Sequence, residues 1–360
     1  MLVRNLMLAL CAYALSSSSA WAGPVSLNGA EAETLKQLIA QDREAETLYK
    51  GIVKVANDAL NDVPHPVSVI VGEGRLDSDP AKMETEVALK DMPKISALAW
   101  AWLVGQDAKY AQKGGDFILA WARENRPDGD PINETTLEPL IVGYDILRSQ
   151  FSPRDRVTVD NWMRNTAVTT WNDPRHRTGN WQSHRLKTVG LIATVLQDND
   201  LWSAVEDGFR QQMNTSFLAD GKSIDFDLRD AMHYHLFSVQ PLLTLACVAH
   251  QRNHDWYGYQ AKSGASLKLA VDFIKPFALG QETHTEFKHS KAKFDQARAA
   301  AGQHEYAPHI WSTCNAGPVF AEASCVDPEA ENFAAKVWCG SPHKKFVNWE
   351  SVVNYVRAVK

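Results

Sequence analysis

The chain has 360 residues, of which 45% are hydrophobic and 22% charged, a balance that fits a folded globular protein and excludes a disordered or fibrous one. Its formal net charge of −6 gives no general attraction for nucleic acid or an anionic membrane surface, so neither is expected as a partner. A polyanionic ligand would therefore need positive charge concentrated in one place.

The N-terminus carries Arg4, an apolar run LMLALCAYAL and then Ala20-Trp21-Ala22. Charge, apolar core and A-x-A in that order form a secretory signal, with cleavage expected after Ala22. The apolar run is about ten residues long, too short to cross the roughly 30 Å hydrocarbon core as a helix. No later stretch is long and uncharged enough to span a membrane. Residues 23–360 are thus expected to work in the periplasm or beyond, as one domain and as a monomer.

From Glu31 onward the apolar spacing is helical almost throughout. LKQLIAQDREAETLYKGIVKVANDAL forms a first helical region, closed by a polar, proline-bearing loop. The short segment VSVIVGEG within that loop is the best strand candidate. Helical patterns follow in METEVALKDMPKISALAWAWLVGQ, DAKYAQKGGDFILAWARENR, TTLEPLIVGYDILRSQ and SPRDRVTVDNWMRNTAVTTW. Ser152-Pro153 reads as an N-cap followed by proline in the first helical position. Further helices are expected over Asn180–Leu196, Asp200–Phe217, Asp230–His250 and Gly264–Phe277. Antiparallel helix pairs joined by short turns imply an all-α fold, an incomplete (α/α) toroid. No fixed-period repeat favours an open helical array.

Export also changes the meaning of the cysteines. Cys247, Cys314, Cys325 and Cys339 lie beyond the signal, and an oxidising compartment permits them to pair. Four cysteines allow three pairings, which sequence does not choose among. With no C-x-x-C pair, no metal site is expected.

Two segments carry candidate chemistry. In Arg177-Thr178-Gly179-Asn180-Trp181-Gln182-Ser183-His184-Arg185, glycine breaks the chain and polar groups crowd a helix start. Asn180 is placed to cap that helix and shares a face with His184. In Asp225-Phe226-Asp227-Leu228-Arg229-Asp230-Ala231-Met232-His233-Tyr234-His235, Arg229 falls near His233 and Tyr234 on a helical wheel. Asn, His, Arg and Tyr together suit β-elimination from a uronic-acid polymer. Neutralising the carboxylate by Asn180, Arg229 or His184 makes the C5 proton removable. Tyr234, helped by His233 or His235, would move protons. No cofactor is required.

At these two segments the sequence resembles the α/α-toroid alginate lyases, a family of periplasmic polymannuronate lyases, from about Lys82 to His250. Asn180 matches the asparagine of the family's Asn-His pair, and Asp200-Leu201-Trp202 matches the end of that motif. Arg229, Tyr234-His235 and Pro241-Leu242 match the second motif. The resemblance implies a lyase acting on an acidic polysaccharide. Two positions depart from it: Trp181 stands where the family has its histidine, with His184 one turn later, and Phe237 falls where the catalytic tyrosine is expected, leaving Tyr234 as its substitute.

Lys288, His289, Lys291 and Lys293, together with Arg175, Arg177, Arg185 and Lys187, would supply the local positive field that a polyanion needs. Arg75 would belong to a lid, and Trp181 would stack on a sugar face. Alternatives are a glycoside hydrolase on a similar barrel, drawing on Asp225, Asp227 or Asp230, and a non-catalytic binding protein for an acidic exopolysaccharide.

Overall fold

The computed structural model describes residues 25–339 and 344–358. The expected signal of residues 1–22 lies outside them. The described chain is helical, with one two-stranded antiparallel ribbon. The first half runs through α1 (Gly29–Gln41), α2 (Arg43–Ala59), α3 (Pro80–Ala88), α4 (Asp91–Gly105), α5 (Ala108–Glu124), the short α6 (Pro131–Glu134), α7 (Glu138–Leu147) and α8 (Pro153–Asn172). Next come α9 (Gly179–Val195), α10 (Asn199–Ser216), α11 (Ile224–Arg229), α12 (Met232–Gln251) and α13 (Leu267–Ala278). The remainder holds β1 (Thr285–Glu286), α14 (Lys293–Ala300), β2 (His309–Ile310), α15 (Gly317–Ala323), α16 (Glu329–Val337) and α17 (Trp349–Ala358).

Helix composition sorts the layers. In α4, α7, α9 and α12 buried residues fall on all sides, as a helix enclosed by others requires. α4 packs on α7, α7 on α9, and α9 on α12, making the inner wall. α5, α8 and α10 bury one stripe and expose the other face, and they pack outside that wall. α17 contacts α1, α2 and α15, drawing the two ends of the described chain together. This is the expected α/α-toroid architecture. Among the described residues no helix is long and apolar enough to cross a membrane.

Three local details differ from the sequence pattern. Asp42 interrupts the first helical region, ending α1 and capping α2 through its side chain. Leu89 and Lys90 separate α3 from α4, although the apolar period runs on through them. VSVIVGEG forms no strand. Its backbone is satisfied from elsewhere: Val71 N–H donates to Thr85 Oγ1 at 3.0 Å and Glu73 N–H to Asn133 Oδ1 at 2.9 Å. Ser152 does cap α8, accepting from Asp155 N–H with Pro153 at the first position. The cysteines pair as Cys247–Cys325 and Cys314–Cys339. The first joins α12 to the segment after α15, and the second brackets α15 and α16.

Candidate active site

One end of the inner wall opens into a cleft of about 380 Å³. Asn180 and Trp181 at the start of α9 line it, with Arg229 at the end of α11 and His233, Tyr234 and Phe237 in α12. Opposite stand Gly72, Glu73, Lys82 and Asn133, and Arg298 and Tyr306 close one side.

The start of α9 is built around a buried carboxylate. Asp225 accepts from the backbone N–H of Asn180 at 2.7 Å, from its side-chain Nδ2 at 2.7 Å and from Ser238 Oγ at 2.8 Å. A helix start leaves backbone donors unsatisfied, and Asp225 with Ser216 Oγ supplies acceptors for them. Asn180 is therefore not the cap; its own amide is held by Asp225. Gly179 has φ +64°, and a Cβ there would sit 2.7 Å from Asp225 Oδ2. Both the left-handed backbone and the carboxylate require glycine. Burial raises the Asp225 pKa, opposed by its donors.

The second segment turns sharply at Asp230, whose φ of 48° folds Arg229 back over α12. Aspartate tolerates this conformation better than most side chains. Glu286 in β1 holds the start of α12, accepting from the N–H groups of Met232 at 2.6 Å and His233 at 2.9 Å. Arg229 lies 4.1 Å from the Tyr234 ring centre and donates to its hydroxyl at 3.0 Å. Arg298 donates to the same oxygen at 3.2 Å, and Arg229 is also paired with buried Asp295. Burial pushes the Tyr234 pKa up, while Arg229 and Arg298 pull it down. Burial lowers the His233 pKa, and Arg298 lowers it further.

Several expected site residues lie elsewhere. His184 is buried one turn below Asn180, with Nδ1 3.0 Å from Thr135 Oγ1 and its ring 4.1 Å from that of Phe237. It does not line the cleft, and burial holds its pKa well below the ordinary value, so it carries no charge to neutralise a substrate. Arg185 is 0% exposed and donates to the carbonyls of Thr170, Asp173, Arg175 and His176, tying α9 to the end of α8. His235 is wholly buried, between Ser223 N–H and the Ala270 carbonyl. Neither Arg185 nor His235 can reach a ligand in the cleft.

The basic set does not converge on the cleft either. Arg75 is exposed beside Asp79, outside the lining. Lys288, His289 and Lys291 are exposed and also outside it, their segment anchored by His289 N–H to Asp230 and Lys291 N–H to the Leu228 carbonyl. Arg175 pairs with Asp173 and Asp130, and Lys187 with Glu138. Trp181 is half-buried and lines the cleft as expected of a stacking residue. Asp225, Asp227 and Asp230, the hydrolase candidates, are absent from the lining.

Glu73, Lys82, Arg298 and Tyr306 were not anticipated. Only Arg298 carried a local signal: Phe294 precedes it by four residues, the spacing of a helical pair.

A family model described as alginate lyase matches residues 37–284. A protein of Stenotrophomonas maltophilia (strain K279a) described as a polysaccharide lyase is 25% identical over 206 residues, covering 55% of this chain and 57% of that protein. The match thus spans little more than half of that relative. An alginate lyase structure from Bacteroides ovatus superposes with a TM-score of 0.69 at 16% identity, covering 92% of this chain and 98% of that one. Alginate lyase A1-III from Sphingomonas species A1 gives 0.54 at 16% identity, covering 73% and 81%. A histidine-to-alanine variant of A1-III, complexed with tetrasaccharide, gives 0.55 at 17% identity, covering 72% and 77%. These structures share the toroid fold, and with more than half of its residues matched by the family model, the chain belongs to the alginate lyase family.

Proposed function

We propose that the protein is a polysaccharide lyase that cleaves alginate or a related polyuronate by β-elimination in this cleft, with Tyr234 as the proton-transfer group. The carrying observation is the environment of the Tyr234 hydroxyl. Its oxygen accepts hydrogen bonds from both Arg229 and Arg298 while facing a cleft shared with His233 and Asn180. Two guanidinium donors stabilise the phenolate, the form that removes a proton.

In the reaction, the Tyr234 phenolate takes the C5 proton, and the C5–H electron pair is held as enolate-like charge over C5 and its carboxylate. That pair forms the C4–C5 double bond as the C4–O bond breaks, and the proton on Tyr234 passes to the departing glycosidic oxygen. One residue serving as base and then acid leaves the protein's proton count unchanged. Positive charge beside the substrate carboxylate stabilises the enolate-like charge that develops at C5. Trp181 and Tyr306 offer aromatic faces for the sugar rings.

Export is part of the same reading. All four cysteines in residues 23–360 are paired, and disulfides persist in oxidising compartments. A periplasmic or secreted lyase meets polymers too large to enter the cytoplasm.

The test mixes the purified protein with polymannuronate and other polyuronates and follows near-ultraviolet absorbance of the new double bond. A rise is expected with at least one of them. Absence of a rise with all polyuronates overturns the lyase reading. New reducing ends without absorbance would instead identify a hydrolase, and tight binding without turnover a binding protein.

A further inference from the structure

α14 lies beyond residues 37–284, the part of the chain matched by the family model. It carries two buried charges one turn apart, Asp295 at 1% exposure and Arg298 at 8%. They do not pair with each other. Asp295 takes Arg229 through one oxygen and Ser290 Oγ through the other. Arg298 has no carboxylate within ion-pair distance among the described residues. Its guanidinium lies 4.2 Å from the Phe294 ring centre and 4.5 Å from that of Tyr306. One Nη donates to Tyr234, and its buried Nε has no hydrogen-bond partner. Glu73 in the same cleft feels its charge without pairing with it, and a buried guanidinium with no paired carboxylate is unfavourable unless something completes it.

The other groups suited to receiving a carboxylate already serve one. The Asn180 amide donates to Asp225, and the charge of Arg229 is paired with Asp295, although its Nε, like that of Arg298, lacks a hydrogen-bond partner. Lys82 is paired with Asp77, and His184 is buried away from the lining. We propose that Arg298 is the residue that receives the carboxylate of the uronate undergoing elimination. This rests on the lyase reading. The geometry suits the role: in a uronate, C5 is bonded directly to the carboxyl carbon. A carboxylate held by Arg298 therefore brings the C5 proton beside the Tyr234 hydroxyl, which the same guanidinium contacts. The planar fork matches a carboxylate with paired hydrogen bonds, and the neighbouring Phe294 and Tyr306 rings confine it.

The experiment uses the full chain with Tyr234→Phe, which suppresses turnover. It measures binding of an oligouronate and of its carboxyl-reduced, neutral counterpart, with Arg298 intact and with Arg298→Gln or Arg298→Lys. Arg298→Gln is expected to weaken oligouronate binding roughly tenfold to a hundredfold, with the neutral oligosaccharide bound within about twofold of before. Arg298→Lys, keeping the charge but losing the fork, should fall between. Equal loss on both ligands, as misfolding would give, overturns the proposal, and so does an unchanged acid preference. The two readings separate: an acid preference that collapses in a protein making no unsaturated product would sink the lyase reading and keep the carboxylate site. Unsaturated product from the native protein with an acid preference insensitive to Arg298 would do the reverse.

Discussion

Tyr234 and His233 are neighbours in one helix, yet their surroundings push them in opposite senses. Burial raises the tyrosine's pKa, with two arginines opposing, whereas burial and Arg298 together hold the histidine neutral. If Tyr234 is the base, the reactive phenolate is the minor form at neutral pH, and its fraction grows as pH rises toward its pKa. The rate constant kcat/KM should then climb from pH 7 to pH 9. A base at His233, with its lowered pKa, would already be unprotonated at pH 7, so a profile flat above about pH 7 would contradict the tyrosine assignment. The residue types needed for this chemistry are legible in the sequence, and Asn180, Arg229, His233 and Tyr234 all reach the cleft. The errors have one physical origin. His184, Arg185 and His235 have the right chemistry and spacing, but helical spacing does not tell a cleft-facing residue from one facing a packed neighbour. α9 is enclosed on nearly every side, so polar residues along it serve as internal ties.

The element that matters most is the start of α9, held by Asp225 from α11 and Ser238 from α12. Because its fit depends on the missing side chain of Gly179, Gly179→Ala should be disruptive beyond its size. The added methyl meets Asp225 at 2.7 Å from a backbone at φ +64°. The expected loss is about 1–3 kcal/mol of stability, with lower activity as Asn180 shifts. Thermal or denaturant unfolding measures the first, and a change below about 0.5 kcal/mol would show that the site relaxes without strain. Most helices were readable from apolar periodicity, but the breaks at Asp42 and Leu89 were not, because the period continues across them. The segment VSVIVGEG looked like a strand because its residues alternate. What decides its conformation is the set of side chains supplied by Thr85 and Asn133, which no local pattern announces.

At the scale of the whole molecule, the cleft is assembled from residues far apart in the chain. Glu73 comes from the loop before α3, Tyr234 from α12 and Arg298 from α14. This is why most of the lining was invisible in the sequence: only the toroid brings those segments together. The Cys247–Cys325 bridge spans 78 residues and fastens the inner helix α12 to the C-terminal segments. Replacing both cysteines by alanine should lower stability by about 2–4 kcal/mol, read from the denaturation midpoint. An unchanged midpoint would mean that packing alone holds those segments to the ring.

If Tyr234 carries out the elimination, a single kinetic comparison shows it. Progress curves for unsaturated product are recorded for the native chain and for Tyr234→Phe, on whichever polyuronate the native chain cleaves. Removing the hydroxyl should lower kcat by roughly a hundredfold to ten-thousandfold while leaving polymer binding largely intact. A variant that keeps more than about a tenth of the native rate would contradict the claim, since a proton-transfer group at the reacting carbon cannot be lost so lightly.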